Sequence, residues 1–156
     1  MKVYLRNISS PYSKVDSSEF KINSSGSGVF DFGNITNGTN YYIIINHRNS
    51  IETWSSGGNS FTAGTMTYSF ITAANRAYGN NQIQVDNSPL RYAIYSGDVN
   101  QDEIVDGADA GIIDNDAFNF VTGYVNTDLT GDDLVDASDE AIVDNNTFNF
   151  VGVIKP

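Results

Sequence analysis

Residues 98–121 of this 156-residue chain are written again thirty positions later, at 128–151. Asp98, Asn100, Asp102, Asp106 and Asp109 follow the order D-x-N-x-D-x-[IV]-x-D-x-x-D, and Asp128, Thr130, Asp132, Asp136 and Asp139 repeat the spacing. A hard cation such as calcium takes about six to eight oxygens, and a loop of about twelve residues supplies them from positions 1, 3, 5, 7, 9 and 12. Position 7 needs only a backbone carbonyl, and Ile104 and Leu134 stand there. The pattern therefore predicts two Ca2+ loops. The repeat runs on through IIDNDAFNFV and IVDNNTFNFV, so the expected unit is a loop followed by a helix, duplicated.

Charge follows the same division. The chain carries 19 acidic and 8 basic residues, for a net charge of −11. From Ser96 onward stand 14 acids and one base, Lys155, giving −13, whereas residues 1–95 have 5 acids and 7 bases, giving +2. Eight of the 14 are the expected ligands, and carboxylates crowded around an empty loop repel one another. Metal binding to such a site is folding free energy. An acidic balance of this size argues against nucleic acid, which demands a basic face, and against anionic membrane. No apolar run reaches the length of a membrane-spanning helix, and the opening residues MKVYLRNISS lack the apolar stretch of a signal peptide. Cysteine is absent and decides nothing about compartment. Loops of this kind are most useful where calcium is abundant, which places the expected location outside the cell.

The composition changes near Tyr95, which suggests a β domain over 1–95 and a small α domain over 96–156. The first part is rich in Ser, Thr, Asn, Gly and Tyr, with short apolar runs between turn signals. Strands are expected at 2–8, 20–23, 29–35, 41–48, 51–55, 66–72, 82–85 and 91–95. Turns are expected at Asn37-Gly38, Gly57-Gly58 and Gly79-Asn80. The continuous run Tyr41 to Ile45 reads as a central strand, and Phe30, Phe32, Met66, Tyr68 and Phe70 as side chains projecting into a core between two sheets. The fold class expected is a mainly β N-terminal sandwich, immunoglobulin-like or transthyretin-like, followed by the helical calcium unit. The first strand begins at residue 2 with nothing before it, so its edge is expected to be exposed. The chain is then a fragment of a longer polypeptide or a subunit whose edge at Val3 to Ile8 is completed by a neighbour.

SGDVNQDEIVDGADAGIIDNDAF followed by NTDLTGDDLVDASDEAIVDNNTF resembles a dockerin, the duplicated calcium module that joins secreted bacterial proteins to cohesin partners. The likeness covers residues 96–156 and rests on the Gly97-Asp98-x-Asn100 opening, both ligand sets, and Asp at position 12, where an ordinary EF-hand has Glu. Two departures stand out. Position 6, a glycine in the usual loop, is Glu103 in the first repeat and Asp133 in the second, and Asp accepts positive φ more readily than Glu. Gly107-Ala108, Ala137-Ser138, Asp114-Asn115 and Asp144-Asn145 also depart from the helix positions by which cellulosomal dockerins read their partners. The stretch GVFDFGNITNGTNYYIIINHRNSIETWS is similar to carboxypeptidase-regulatory-like sandwich modules of secreted proteins. The combination looks like the C-terminal part of surface proteins of the Bacteroidetes and Ignavibacteria type.

Other chemistry is sparse. His47 is the only histidine and has no nucleophile motif to serve, so it reads as a packing residue. Glu52 and Asp31 are isolated carboxylates, without the opposed pair a glycosidase needs. Trp54 with Tyr41, Tyr42, Tyr68 and Tyr78 is a candidate platform for polysaccharide, weighed against ordinary strand packing. Phe118, Phe120, Phe148 and Phe150 read as the core joining the two repeats. Asn-x-Ser/Thr sequons stand at Asn7, Asn23, Asn34, Asn37 and Asn145. The expectation is a non-enzymatic, calcium-binding assembly module at the cell surface, whose partners are other protein chains, through self-assembly into a filament or a cohesin-like receptor.

Overall fold

A computed structural model describes residues 1–156. The chain is mainly β, with two antiparallel sheets and two helices. It divides into two compact units, one comprising Met1–His47, Glu52–Ala93 and Ile154–Pro156, the other Arg48–Ile51 and Ile94–Val153. No helix is long and apolar enough to cross a membrane.

The first unit is built on strands β1 (Lys2–Asn7), β2 (Lys14–Glu19), β3 (Asn40–His47) and β5 (Asn59–Ser60) and on the Glu52–Trp54 end of β4 (Ser50–Trp54). They form one sheet in the order β2-β1-β3-β4, with β5 also paired to β3. Side chains alternate across a strand, and the register Val3↔Ile45 and Leu5↔Ile43 puts those residues on one face. There Val3, Leu5, Tyr41, Ile43 and Phe61 are buried together. On the opposite face, Ile44 is fully buried and Tyr42 packs edge-on against Trp54, Tyr12 and Tyr78. Strand β3 is thus covered on both faces, as its unbroken apolar run predicts. A separate hairpin joins β6 (Ile83–Asn87) to β7 (Leu90–Ala93).

Three expected strands, 20–23, 29–35 and 66–72, are not strands. Their side chains behave as expected: Phe30, Phe32, Ile35, Met66, Tyr68 and Phe70 pack against the core. The backbone, however, is held by side chains instead of a ladder. Asp16 accepts hydrogen bonds from the Gly33 and Asn34 N–H groups at 2.8 Å each, Tyr68 donates its hydroxyl to the Arg76 carbonyl at 2.5 Å, and Arg76 Nε donates to the Ser69 carbonyl. Conversely, the polar segment KVDSSE, which shows no apolar run, forms β2.

That strand corrects the expectation of an open edge at the start of the chain. β1 pairs β2 on one side and β3 on the other, antiparallel in both cases. Both rows of its backbone groups are engaged from Lys2 to Arg6, so the edge expected to lie open from Val3 onward is covered there by β2.

In the second unit the two repeats form helices α1 (Gly107–Phe118) and α2 (Ala137–Phe148). Each begins on an aspartate N-cap, Asp106 or Asp136, in a reciprocal capping box with the aspartate at N3. The loops pair crosswise. Ile104 bridges to Gly152 beyond α2, and Leu134 bridges to Thr122 beyond α1. The Val105 N–H donates to Val151 and the Val135 N–H to Val121, both at 2.9 Å. Ile51, Val99, Val105, Ile113, Val135, Val143 and Val151 are the buried centre.

The expectation that Phe118, Phe120, Phe148 and Phe150 form that centre is wrong. They are 80–92 % exposed. Apolar positions of α1 that face the core are Ala110, Ile113 and Ala117, at helical spacing. Phe118 lies one residue past that stripe, rotated by about 100°.

Candidate metal centre

Both loops are shaped around buried carboxylates. Asp98 and Asp128, at position 1, are 2 % and 1 % exposed, and Asp109 and Asp139, at position 12, are fully buried. None of the four is ion-paired. They are held by backbone N–H groups, and the wiring of position 12 is the same in both repeats. Asp109 Oδ1 accepts from Val99 and Asn100 at 2.9 and 3.2 Å, and its Oδ2 from Asp106 at 3.1 Å. Asp139 Oδ1 accepts from Leu129 and Thr130 at 2.7 and 2.9 Å, and its Oδ2 from Asp136 at 3.0 Å. One residue at position 12 therefore closes the loop and caps the helix that follows.

Asp98 accepts from the Asp102 and Glu103 N–H groups, and Asp128 from Gly131, Asp132 and Asp133. Asp102 and Asp132 in turn accept from the position 7 N–H groups of Ile104 and Leu134 at 3.2 and 3.0 Å. Asn100 Oδ1 accepts from the Asp102 N–H at 2.8 Å, and Thr130 donates its hydroxyl to Asp128 at 3.4 Å. Asp106 and Asp136 each accept at 2.7 Å from the second helical N–H, of Ala108 and Ser138.

In the first loop Asp98, Asp102 and Asp109 bring one carboxylate oxygen each within 4.8 Å of one another. The second loop's counterparts are not drawn into such a group. Gathering like charges in a buried place has an electrostatic consequence. Burial pushes the Asp98 carboxyl up to about 6, and neighbouring Asp109 adds to the rise, while N–H donors from Glu103, Asp102 and Gln101 pull against it. A carboxylate has about four lone-pair sites; Asp98 and Asp109 accept two and three loop N–H bonds and keep acceptor capacity, whereas Asp128 already accepts from Thr130, Gly131, Asp132 and Asp133. The first loop fits a hard divalent cation: oxygen donors converge, the anions have no cationic partner, and their orientation is already fixed.

The backbone carries the shape. Glu103 and Asp133, at position 6, have φ of 80° and 69°, in the region that favours glycine. Gly97, just before the first ligand, has φ of 117°, and a Cβ there would lie 2.8 Å from Val105 Cγ1. Its counterpart in the second repeat is Thr127, whose hydroxyl donates to Asp116 at 2.7 Å. A neighbouring turn is braced by Arg48 and Asn49. Arg48 donates to the Val125 carbonyl, its guanidinium lies 4.0 Å from the Tyr124 ring, and Asn49 Nδ2 donates to the Asp128 carbonyl at 3.0 Å. The sequence gives no motif for this brace, because Arg48 and Asn49 lie far from the loops along the chain.

The other candidates have ordinary surroundings. Trp54 and Tyr41 are buried at 4 % and 3 % exposure, and the Trp54 indole N–H donates to Glu52 at 2.8 Å. His47 ends β3 and is half-buried, Asp31 is exposed, and all five sequon asparagines are exposed. Comparison with protein-family models, with curated proteins and with solved structures finds no match for the chain.

Proposed function

We propose that this chain is a non-enzymatic, extracellular association module in which a dockerin-like duplicated unit, residues 96–156, is locked into shape by two Ca2+ ions, behind an immunoglobulin-like or transthyretin-like β domain. The observation that carries the reading is the set of four buried aspartates without a cationic partner at positions 1 and 12 of two loops, whose position 12 carboxylates are wired alike. A carboxylate buried without a neighbouring cation is expensive even when N–H groups solvate it, and a fold that repeats the arrangement gains if a cation compensates it. Asp98, Asn100, Asp102, Asp106, Asp109 and the Ile104 carbonyl would hold the first ion. Asp128, Thr130, Asp132, Asp136, Asp139 and the Leu134 carbonyl would hold the second. The cation supplies charge compensation. The chain supplies orientation, through loop N–H groups that fix each carboxylate, and transmission, because Asp109 and Asp139 tie the loops to the first turns of α1 and α2.

The work of such a rigid unit is to present a surface to another protein, either copies of itself in a surface filament or a cohesin-like receptor. Strand addition at β1 plays no part where β2 covers its edge, from Lys2 to Arg6. Sedimentation velocity and electron microscopy over a range of concentrations, in millimolar calcium and in chelator, separate the two versions. Calcium-dependent polymers support the filament. A chain that stays monomeric at high concentration removes that version and leaves the receptor. Association that ignores calcium contradicts the proposal as a whole.

A further inference from the structure

Each helix of the second unit ends in the same unusual way. Asn119 and Asn149 are the C-caps, and the next residue turns left-handed, with φ of 53° at Phe120 and 54° at Phe150. The Phe120 N–H donates to Ala117 and the Val121 N–H to Asp116. Phe150 and Val151 repeat the pair onto Thr147 and Asn146. This is the Schellman closure, whose left-handed position normally holds glycine or asparagine. A phenylalanine there is strained against its own backbone. Burial does not compensate it, since Phe120 is 80 % and Phe150 92 % exposed, and Phe118 and Phe148 beside them are 83 % and 82 % exposed. Neither local conformation nor the core explains these residues, and exposed apolar clusters of this kind mark interaction surfaces.

The first pair stands on a groove of about 850 Å³ whose lining includes Phe118, Phe120 and Leu134 beside Asp114, Asp136 and Glu140. The groove is thus apolar along its aromatic side and anionic along its wall. At the second pair the residue equivalent to Glu140 is Ala110, so that carboxylate is present at the first pair alone. The Phe118–Phe120 groove fits one kind of occupant. Apolar side chains cover the rings, while Arg or Lys reaches Asp114 and Glu140, the two carboxylates not assigned to a cation, and stacks on the ring faces. The strong negative charge of the region would steer a basic partner toward it.

We infer that the groove at Phe118 and Phe120 is the docking surface of the association module, and that its occupant is a basic partner segment in which Arg or Lys alternates with aliphatic residues. The inference rests on the reading of this unit as an association module and names the chemistry of the partner.

The test uses the full chain, 15N-labelled, in millimolar calcium and about 0.15 M salt, a concentration at which exposed charges are screened beyond ~8 Å. The probes are short blocked peptides of repeating Arg-Leu-Ala, Arg-Ser-Ala and Glu-Leu-Ala. The Arg-Leu-Ala peptide is expected to shift amide resonances of residues 111–120 and 134–140 saturably, at least tenfold more tightly than either control. Phe118→Ser with Phe120→Gly is expected to weaken it at least tenfold, and Phe120→Gly alone to leave the melting temperature unchanged or raised. Equal binding of Arg-Ser-Ala would reduce the effect to bulk charge and overturn the inference. So would undiminished binding by the phenylalanine variants, or a melting temperature several degrees lower in Phe120→Gly, which would make that ring structural. Self-association that needs Phe118 and Phe120 would make the occupant a second copy and overturn the assigned partner. Failure of the calcium reading shows itself separately, as helix content and peptide affinity both indifferent to chelation, and leaves the groove result standing.

Discussion

Replacing Asp109 by alanine removes one fully buried carboxylate and strands three backbone N–H groups, of Val99, Asn100 and Asp106. A buried donor left unsatisfied costs about 1–3 kcal/mol. Water entering the vacated space recovers part of that, so about 3 kcal/mol is expected for the set. A unit of this size has a stability of roughly 3–9 kcal/mol at about 0.05–0.15 kcal/mol per residue. The substitution should therefore remove at least a third of it and leave the helices marginal. Asp109→Asn keeps one oxygen for Val99 and Asn100 but turns an amide toward the Asp106 N–H, and about half the loss is expected. Urea unfolding followed at 222 nm is the assay, because both helices belong to the second unit. It is run in chelator, so that only the hydrogen-bonding role is read. If Asp109→Ala unfolds within about 0.5 kcal/mol of the wild type, the carboxylate is not the brace of the loop, and its burial must have another cause.

Other expectations follow from single contacts. Glu103 is held at φ 80°, so Glu103→Gly should raise stability by about 1 kcal/mol by relieving left-handed strain, and Asp133→Gly by less; a lower melting temperature for Glu103→Gly would contradict this. The Asp98 carboxyl is raised to about 6, so in chelator its contribution to stability is fullest below the ordinary value of 3.8 and is lost as pH rises through about 6. Calcium affinity should run the other way, weakening as pH falls below about 6, and titration calorimetry at pH 7 and pH 5 reads the difference. Asp16 is held below its ordinary value, chiefly by the Asn34 N–H and then by Ser17. Its contribution is present above pH 3.8 and lost as pH falls through the lowered value. Asp16→Asn should accordingly speed hydrogen exchange at Gly33 and Asn34, and unchanged protection would count against the anchor.

What the sequence made legible is what repeats or runs unbroken. The doubled spacing located both loops and the helices after them, and the run from Tyr41 to Ile45 located the strand buried on two faces. What stayed hidden depends on tertiary partners. Strand β2 is polar because it is half-exposed, so no apolar alternation betrays it. Segments 29–35 and 66–72 have strand-like aromatics, yet Asp16, Tyr68 and Arg76 hold or brace their backbones, and such contacts have no signature in the chain. The phenylalanines were open to a better reading: the stripe Ala110, Ile113, Ala117 leaves Phe118 off the core face by helical spacing alone. Phe120 gives no such warning, because aromatic residues rarely stand where a helix needs glycine.

The measurement that bears most directly on the account is thermal unfolding of the full chain at 222 nm, in millimolar calcium and again after chelation. Bound calcium stabilises a folded site by mass action, by about 4 kcal/mol at a thousandfold excess over its dissociation constant. For a unit of this size that is a rise of well over 10 °C in melting temperature at about 4–8 °C per kcal/mol. A rise of that order, reversed by chelator and restored by calcium, is the expected result. Superimposable melting curves would contradict the account, and the paired aspartate loops would then be hydrogen-bonded turns and nothing more.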